Sequence, residues 1–308
     1  MSERKLIVLG TASQVPARNR NQGGYLLRFD EYGFLFDPGE GTQRQMIFAG
    51  VKVSEITKIF ITHFHGDHCL GLAGIIQRIS LDKVGHVIEV YYPLSGQQFF
   101  ENLCSSSLFY NTARLKACPV EGPGIIFEDS RLIIEARRLD HDVDTYGYRI
   151  RERDTHTLIP EHLERAGIKG SNIGVLKDTG SVTIEDRTMS IEEMGSLLPG
   201  QRFAFVMDTR ICDAAYELAD HADLLVCEAT FLAELEEKAF QYGHLTAAQA
   251  GRIARDACVE KLVLTHFSQR YVDTEALVHE ARQFHEDVIA ANDGDHIAFP
   301  RRKRNVDA

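Results

Sequence analysis

No stretch of this 308-residue chain reaches the ~18 consecutive apolar residues that a membrane-spanning helix needs, so no membrane partner is expected. The opening is basic from Met1 to Lys5 and then apolar over Leu6-Ile7-Val8-Leu9. That run is too short for a secretion signal and meets Gly10-Thr11, so it reads as a first strand. Cysteine is sparse. Cys69, Cys104, Cys118, Cys212, Cys227 and Cys258 are scattered without a C-x-x-C pair, which argues against a disulfide framework and for a reducing, cytoplasmic setting. Positive charge is also short: 34 Lys and Arg stand against 45 Asp and Glu, a formal net charge of −11. Phosphate binding needs cations that displace counterions, so a nucleic-acid enzyme with this balance must gather its cations locally. The local groups are Arg18 and Arg20, Arg137 and Arg138, Arg149 to Arg153, and Arg301 to Arg304. Internal repeats and low-complexity tracts are missing too.

What is present reads as one large α/β domain over 1–308. Short apolar runs at Leu6–Leu9, Tyr25–Phe29, Gly33–Phe36 and Ile59–Ile61 have strand length, with the turn Asp37-Pro38-Gly39 after the third. Further runs follow at Leu132–Ala136, Arg202–Met207, Asp223–Cys227 and Lys261–Thr265. Helical patterns lie at Gln43–Ala49, Leu70–Ile79, Ala214–Ala219, Ala247–Cys258 and Thr274–Phe284. The alternation suggests sheets packed inside covering helices. Arg151 to Leu198 differs. It is polar, holds Gly167, Gly170, Gly174 and Gly180, and lacks a long apolar stripe, which suggests an insertion rather than a second core domain.

The most informative segment is Thr62-His63-Phe64-His65-Gly66-Asp67-His68. Imidazole nitrogen and carboxylate oxygen are the donors that zinc and similar cations take. His63 and His65 alternate at a strand end and can reach one metal, while the turn at Gly66 aims Asp67 and His68 at a second. One cluster cannot fill two coordination shells, so distant partners are required. His141, Asp208 and His266 qualify, because each follows an apolar strand, where loops of a layered fold collect functional groups.

These residues resemble the metallo-β-lactamase superfamily through His63-x-His65-x-Asp67-His68, and its ribonuclease Z family more closely. The likeness extends over Phe36 to Met46, Thr62 to Gly74, Met207-Asp208-Thr209-Arg210, Cys227-Glu228-Ala229-Thr230-Phe231 and Gly243-His244-Leu245-Thr246-Ala247. It implies an αββα sandwich with two Zn²⁺ per subunit, or Mn²⁺ in their place. One metal would take His63, His65, His141 and Asp208; the other would take Asp67, His68, the shared Asp208 and His266. It also implies a homodimer acting on precursor tRNA, with an exosite at about 151–183. Within that likeness Asp67 would orient the nucleophile and accept its proton. His244 would be the general acid with Glu228 orienting it, and Arg18 and Arg20 would contact substrate. The chain departs from the family pattern at Cys227, where histidine is frequent, at Leu245, where serine is, and at Lys169-Gly170-Ser171-Asn172, which has no proline. A small-substrate phosphodiesterase or arylsulfatase of the same superfamily is the alternative. A non-catalytic zinc-stabilised RNA-binding module is disfavoured, because structural zinc sites are closed by four protein ligands.

Overall fold

The computed structural model describes residues 4–302. Met1 to Glu3 at the basic start, and Lys303 and Arg304 of the C-terminal basic group, lie outside the described residues. The chain divides into two units, one of 1–128, 134–150 and 202–300, the other of 129–133, 151–201 and the C-terminal end.

Among the described residues two seven-stranded sheets are formed. The first runs from edge to edge through His296–Ala298, Lys5–Gly10, Gly24–Phe29, Tyr32–Phe36, Lys58–Phe60, Ile88–Pro93 and Leu115–Val120. Its pairs are antiparallel as far as Tyr32–Phe36 and parallel beyond it. The second runs through Val288–Ala290, Lys261–Thr265, Leu224–Glu228, Arg202–Val206, Tyr146–Glu152, Leu132–Arg138 and Gly124–Glu128, and its pairs from Val288–Ala290 to Arg202–Val206 are parallel.

Register explains the layering. Tyr25 pairs with Phe36, Phe36 with Phe60 and Phe60 with Tyr91, so four aromatics form a row on one face of the first sheet. That row meets the second sheet, with Phe205 4.7 Å from Phe36 and Tyr148 5.0 Å from Phe60 between ring centroids. Burying each such ring stabilises the fold by ~1.5–3 kcal/mol. The opposite row, Leu26, Leu35, Ile59 and Val90, packs with Met46, Leu72, Ile75, Ile76 and Ile79. Those last four recur at helical spacing along Leu72–Leu81, which is why this helix covers the sheet. On the second sheet Ala204, Val206, Leu225, Leu262 and Leu264 lie under Leu218, Ile253, Ala254 and Leu277 from Asp213–Ala219, Ala247–Asp256 and Glu275–Arg282. The result is the helix–sheet–sheet–helix sandwich that the sequence implies.

The helix expected from Leu70 starts at Leu72, because Gly66–Cys69 closes its own turn first. Six strands of the two sheets were not read from the sequence: Ile88–Pro93, Leu115–Val120, Gly124–Glu128, Tyr146–Glu152, Val288–Ala290 and His296–Ala298. The first four carry charged or polar residues and the last two are only three residues long. Pro119 sits in an edge strand, where its missing N–H costs no ladder bond.

The second unit has more regular structure than its polar composition suggests. Thr155–Leu158 pairs with Gly195–Leu198, and Ser181–Ile184 with Arg187–Ser190. The second pair turns through Glu185 and Asp186, both at positive φ, as a two-residue hairpin turn of matching twist requires. Helices Pro160–Arg165 and Ser171–Thr179 accompany them around a small cluster of Ile168, Leu176, Val182, Met189 and Met194.

Candidate metal centre and its cleft

Parallel strands that end at one rim of a sandwich bring their following residues together. Asp37 follows Tyr32–Phe36, His63 comes soon after Lys58–Phe60, and His141 follows Leu132–Arg138. Asp208 follows Arg202–Val206, Glu228 ends Leu224–Glu228, and His266 follows Lys261–Thr265. Asp37, Asp208 and His266 take φ of 42, 50 and 59°. Left-handed backbone at residues other than glycine costs on the order of 1–3 kcal/mol each and persists where surrounding structure fixes it. Three such residues at one rim mark it as a site.

The donor atoms converge as the sequence requires. Single ligand atoms of His63, His65, His141 and Asp208 lie within 4.8 Å of one another, as do those of Asp67, His68 and His266, and of Asp208, His244 and His266. Hydrogen bonds set the imidazoles. The Thr62 hydroxyl donates to Asp37 at 2.7 Å and therefore accepts from His63 Nδ1 at 3.0 Å. His141 Nδ1 donates to the Gly243 carbonyl at 2.9 Å. The remaining nitrogens, His63 Nε2 and His141 Nε2, face His65 Nδ1 at 2.9 and 3.3 Å. Lone pairs gathered so closely repel unless a cation or proton lies among them. His68 Nδ1 donates to Asp37 at 2.9 Å, and its Nε2 is buried without a hydrogen-bond partner, 3.2 Å from Asp208 Oδ2. Asp208 Oδ1 is likewise buried without one. Orphaned buried donors of this kind, oriented from behind by carboxylate, hydroxyl and carbonyl groups, fit divalent cations.

Charge completes the picture. Burial lowers the pKa of His63 well below the usual imidazole value and that of His65 as well, which keeps both neutral, as ligands must be. Burial opposes the charge of Asp67 and Asp208. The neighbouring His68 and His266 nonetheless hold both carboxylates below the usual range, helped for Asp208 by His244. Burial works against a charged His68 too, but Asp208, Asp67 and Asp37 raise it, so a proton there balances carboxylates that a metal ion would balance instead.

His244 stands at the edge of this group. Its Nδ1 lies 3.2 Å from Glu228 Oε2. Glu228 is fully buried and fixed at 2.7 Å by the Thr209 N–H and by the Thr230 hydroxyl. Burial opposes the imidazolium, but Glu228 and Asp208 prevail and push the pKa up to about 9. Gly243 before it takes φ +73°, and a Cβ there would come within 2.4 Å of His141 Nδ1, so only glycine lets His141 and His244 sit this close.

The ligand cluster floors a cleft of about 870 Å³ whose walls include Gln14, Phe231, Lys238, Tyr242 and Arg270. Two further residues shape the site in ways the sequence did not announce, although Arg210 lies in the Met207–Arg210 likeness. The Gln14 N–H donates to Asp67 Oδ2 at 2.7 Å, a backbone role that side-chain chemistry does not announce. Arg210 binds Asp142 at 2.7 Å, Asp140 at 3.3 Å and the Phe240 carbonyl at 2.7 Å, bracing the loop that carries His141. The two expected substrate arginines part company. Arg18 is exposed, but Arg20 is buried with its guanidinium 5.0 Å over the Phe267 ring, and burial lowers its pKa. Arg20 packs against its own loop, with one guanidinium nitrogen buried without a hydrogen-bond partner. Arg270 and Lys238 add cations along the cleft walls.

Comparison with known proteins agrees with this geometry. The model of the metallo-beta-lactamase superfamily matches residues 23–159, and that of the beta-lactamase superfamily domain matches 179–267. Ribonuclease Z of Nocardia farcinica is 52% identical across 98% of this chain and the whole of that protein. Ribonuclease Z of Chlamydia trachomatis is 43% identical across 98% of this chain and 99% of that protein. Among solved structures, the short form of human tRNase Z superposes with a TM-score of 0.69 at 26% identity, covering 96% of this chain and all of that one.

Proposed function

The chain belongs to the ribonuclease Z family of the metallo-β-lactamase superfamily, the endoribonucleases that process tRNA 3′ ends, and from that membership we propose that it cuts precursor tRNA after the discriminator nucleotide, with His244 as general acid beside a site that would hold two zinc ions. The convergence of seven donor side chains, with His68 Nε2 and Asp208 Oδ1 buried and unpartnered, carries this reading. His63, His65, His141 and Asp208 would hold one ion. Asp67, His68, the same Asp208 and His266 would hold the other, and manganese suits the same donors. When bound, such ions polarise a phosphoryl oxygen and make water acidic enough to attack at neutral pH.

The protein's own groups do the rest. Asp67, aligned by the Gln14 N–H, orients the attacking water. Asp67 also accepts the proton that the attacking water gives up. Water oxygen adds to phosphorus as the bond to the ribose 3′ oxygen breaks. His244, turned by Glu228, gives that oxygen a proton, leaving a tRNA 3′ hydroxyl and a trailer with a 5′ phosphate.

The wider assembly follows the same reading. The exosite at about 151–183 belongs to the second unit, as an insertion into one metallo-β-lactamase-type domain. Acidic residues outnumber basic ones nine to six over 151–201, so the grip on the tRNA body centres on 165–177, which has Arg165, Lys169 and Lys177 and no acid. There the helix Ser171–Thr179 has no acidic residue in its first turn, which suits a phosphate at its N-terminus. Exposed Ile47, Phe48, Leu81, Leu108 and Tyr110 support a second copy of the chain as partner. Among the described residues no helix is long and apolar enough to cross a membrane, and the six cysteines are free thiols, which suits a reducing cytoplasm.

The assignment of His244 is tested by His244→Ala. Its cleavage of precursor tRNA is expected to fall by roughly 10²–10⁴ with zinc content unchanged. Wild-type cleavage with zinc retained would remove His244 from the mechanism.

A further inference from the structure

Arg270 is exposed on the cleft wall, four residues past the ligand His266. Its guanidinium lies 5.0 Å over the ring of Phe231, and its Nε–H donates to Ser268 Oγ at 3.0 Å. The loop beneath is pinned on three sides. Phe267 N–H donates to the Thr11 carbonyl at 2.8 Å, Tyr271 N–H to the Ser268 carbonyl at 3.0 Å, and Leu232 N–H to the Tyr271 hydroxyl at 2.9 Å. Both line the cleft, but Phe231 is buried and Arg270 exposed, so the guanidinium is the more accessible of the two. A planar cation held beside an aromatic ring and by Ser268 keeps surface exposed for a ligand.

Its position says which part of an RNA that face would meet. The Phe231 ring is 6.1 Å from the His244 imidazole. On the reading above, His244 protonates the departing 3′ oxygen, so the ribose carrying that oxygen lies beside His244. Its base lies within one nucleoside of the same point. We propose that Arg270, held over Phe231, is the platform on which the base of the last retained nucleotide stacks. Guanidinium planes stack on nucleobases irrespective of sequence, and every precursor presents a base there. This inference rests on the tRNA-processing reading and deepens it by naming a nucleotide subsite.

Arg270→Lys separates plane from charge, since lysine keeps the charge and loses the planar stack. The probes are a precursor tRNA with an ordinary discriminator base and one with an abasic residue at that position. On the intact precursor, Arg270→Lys is expected to lower kcat/KM by about 5- to 150-fold, the range for losing one base stack. On the abasic precursor the variant and the wild type should cleave at the same reduced rate. Binding of the mature tRNA product, followed by fluorescence anisotropy, should weaken in parallel for the intact end only. Wild-type kcat/KM in Arg270→Lys would overturn the proposal. So would an equal loss on both precursors, which would make Arg270 a phosphate contact alone. Failure of the wild-type enzyme to cut either precursor would instead overturn the tRNA reading itself, and the subsite with it. Zinc content and melting temperature of Arg270→Lys report whether its loop still folds, and Arg270→Gln, which is planar but uncharged, gives a second variant expected to retain part of the base-dependent rate.

Discussion

Thr62 joins two carboxylate- and imidazole-bearing strands through one hydroxyl. It donates to Asp37 and accepts from His63 Nδ1, so it fixes which His63 nitrogen faces the metal centre. Outer partners of metal ligands are typically worth 10–100-fold in affinity or activity. Thr62→Val keeps the shape and removes both bonds. Zinc affinity, measured by competition with a chromogenic chelator, is expected to fall by roughly that factor; an unchanged affinity would show that packing alone sets the ring. At this scale the ligands were legible, because His-x-His-x-Asp-His is a dense donor group with little use in packing. Asp37, Thr62 and Thr230 were not legible as orienting groups, since hydrogen-bond roles depend on which strand ends meet. The place of Arg20 over the Phe267 ring was hidden for the same reason.

Across three neighbouring strands, Lys58, Glu89 and Lys116 lie in register, with Lys58 and Glu89 in an ion pair and Lys116 Nζ 2.8 Å from Glu89. Lys58 is buried and lies 3.7 Å over the Phe127 ring of the second sheet. Burial alone would raise the Glu89 pKa, but Lys116, Lys58 and the Tyr91 hydroxyl bring it down to about 2. In the unfolded chain a glutamate titrates near ~4.3. The folded pKa is therefore the lower one, so Glu89 contributes stability fully above the unfolded value. That contribution is lost as pH falls from there through about 2. Glu89→Gln is expected to melt at lower temperature than wild type at pH 7, and the gap should close as the pH drops through that window. A gap that stays constant with pH would assign the loss to packing. The charges in this ladder also explain why Ile88–Pro93 and Leu115–Val120 escaped the sequence reading. Strands that carry Glu89 and Lys116 break the apolar run by which buried strands are recognised. Strands with unbroken runs, such as Lys5–Gly10 and Lys261–Thr265, were read to within a residue at each end. The helices and hairpins of the second unit were not read at all, because their cluster of five buried side chains is spread over nearly thirty residues.

For the molecule as a whole, the acidic balance and the RNA substrate are reconciled by where cations stand free. Arg4, Arg28, Arg78, Arg137, Arg149, Arg210 and Arg255 are engaged with carboxylates. Arg18 is exposed and Arg270 and Lys238 line the cleft, which on the proposed reading makes them available to a phosphate backbone. The sandwich and the metal rim were both legible at this scale, the first from alternating strands and helices and the second from the His and Asp residues that follow them. The substrate was not, because a fold of this kind hosts many hydrolases and only the family likeness points to tRNA. The most direct test is therefore to map the cut made in a defined precursor tRNA, beside a bare single-stranded trailer and a small phosphodiester. A single cut just after the discriminator nucleotide, abolished by His65→Ala, is the expected result. Turnover of the small phosphodiester with the precursor left intact would contradict it and leave a general phosphodiesterase with the same metal rim.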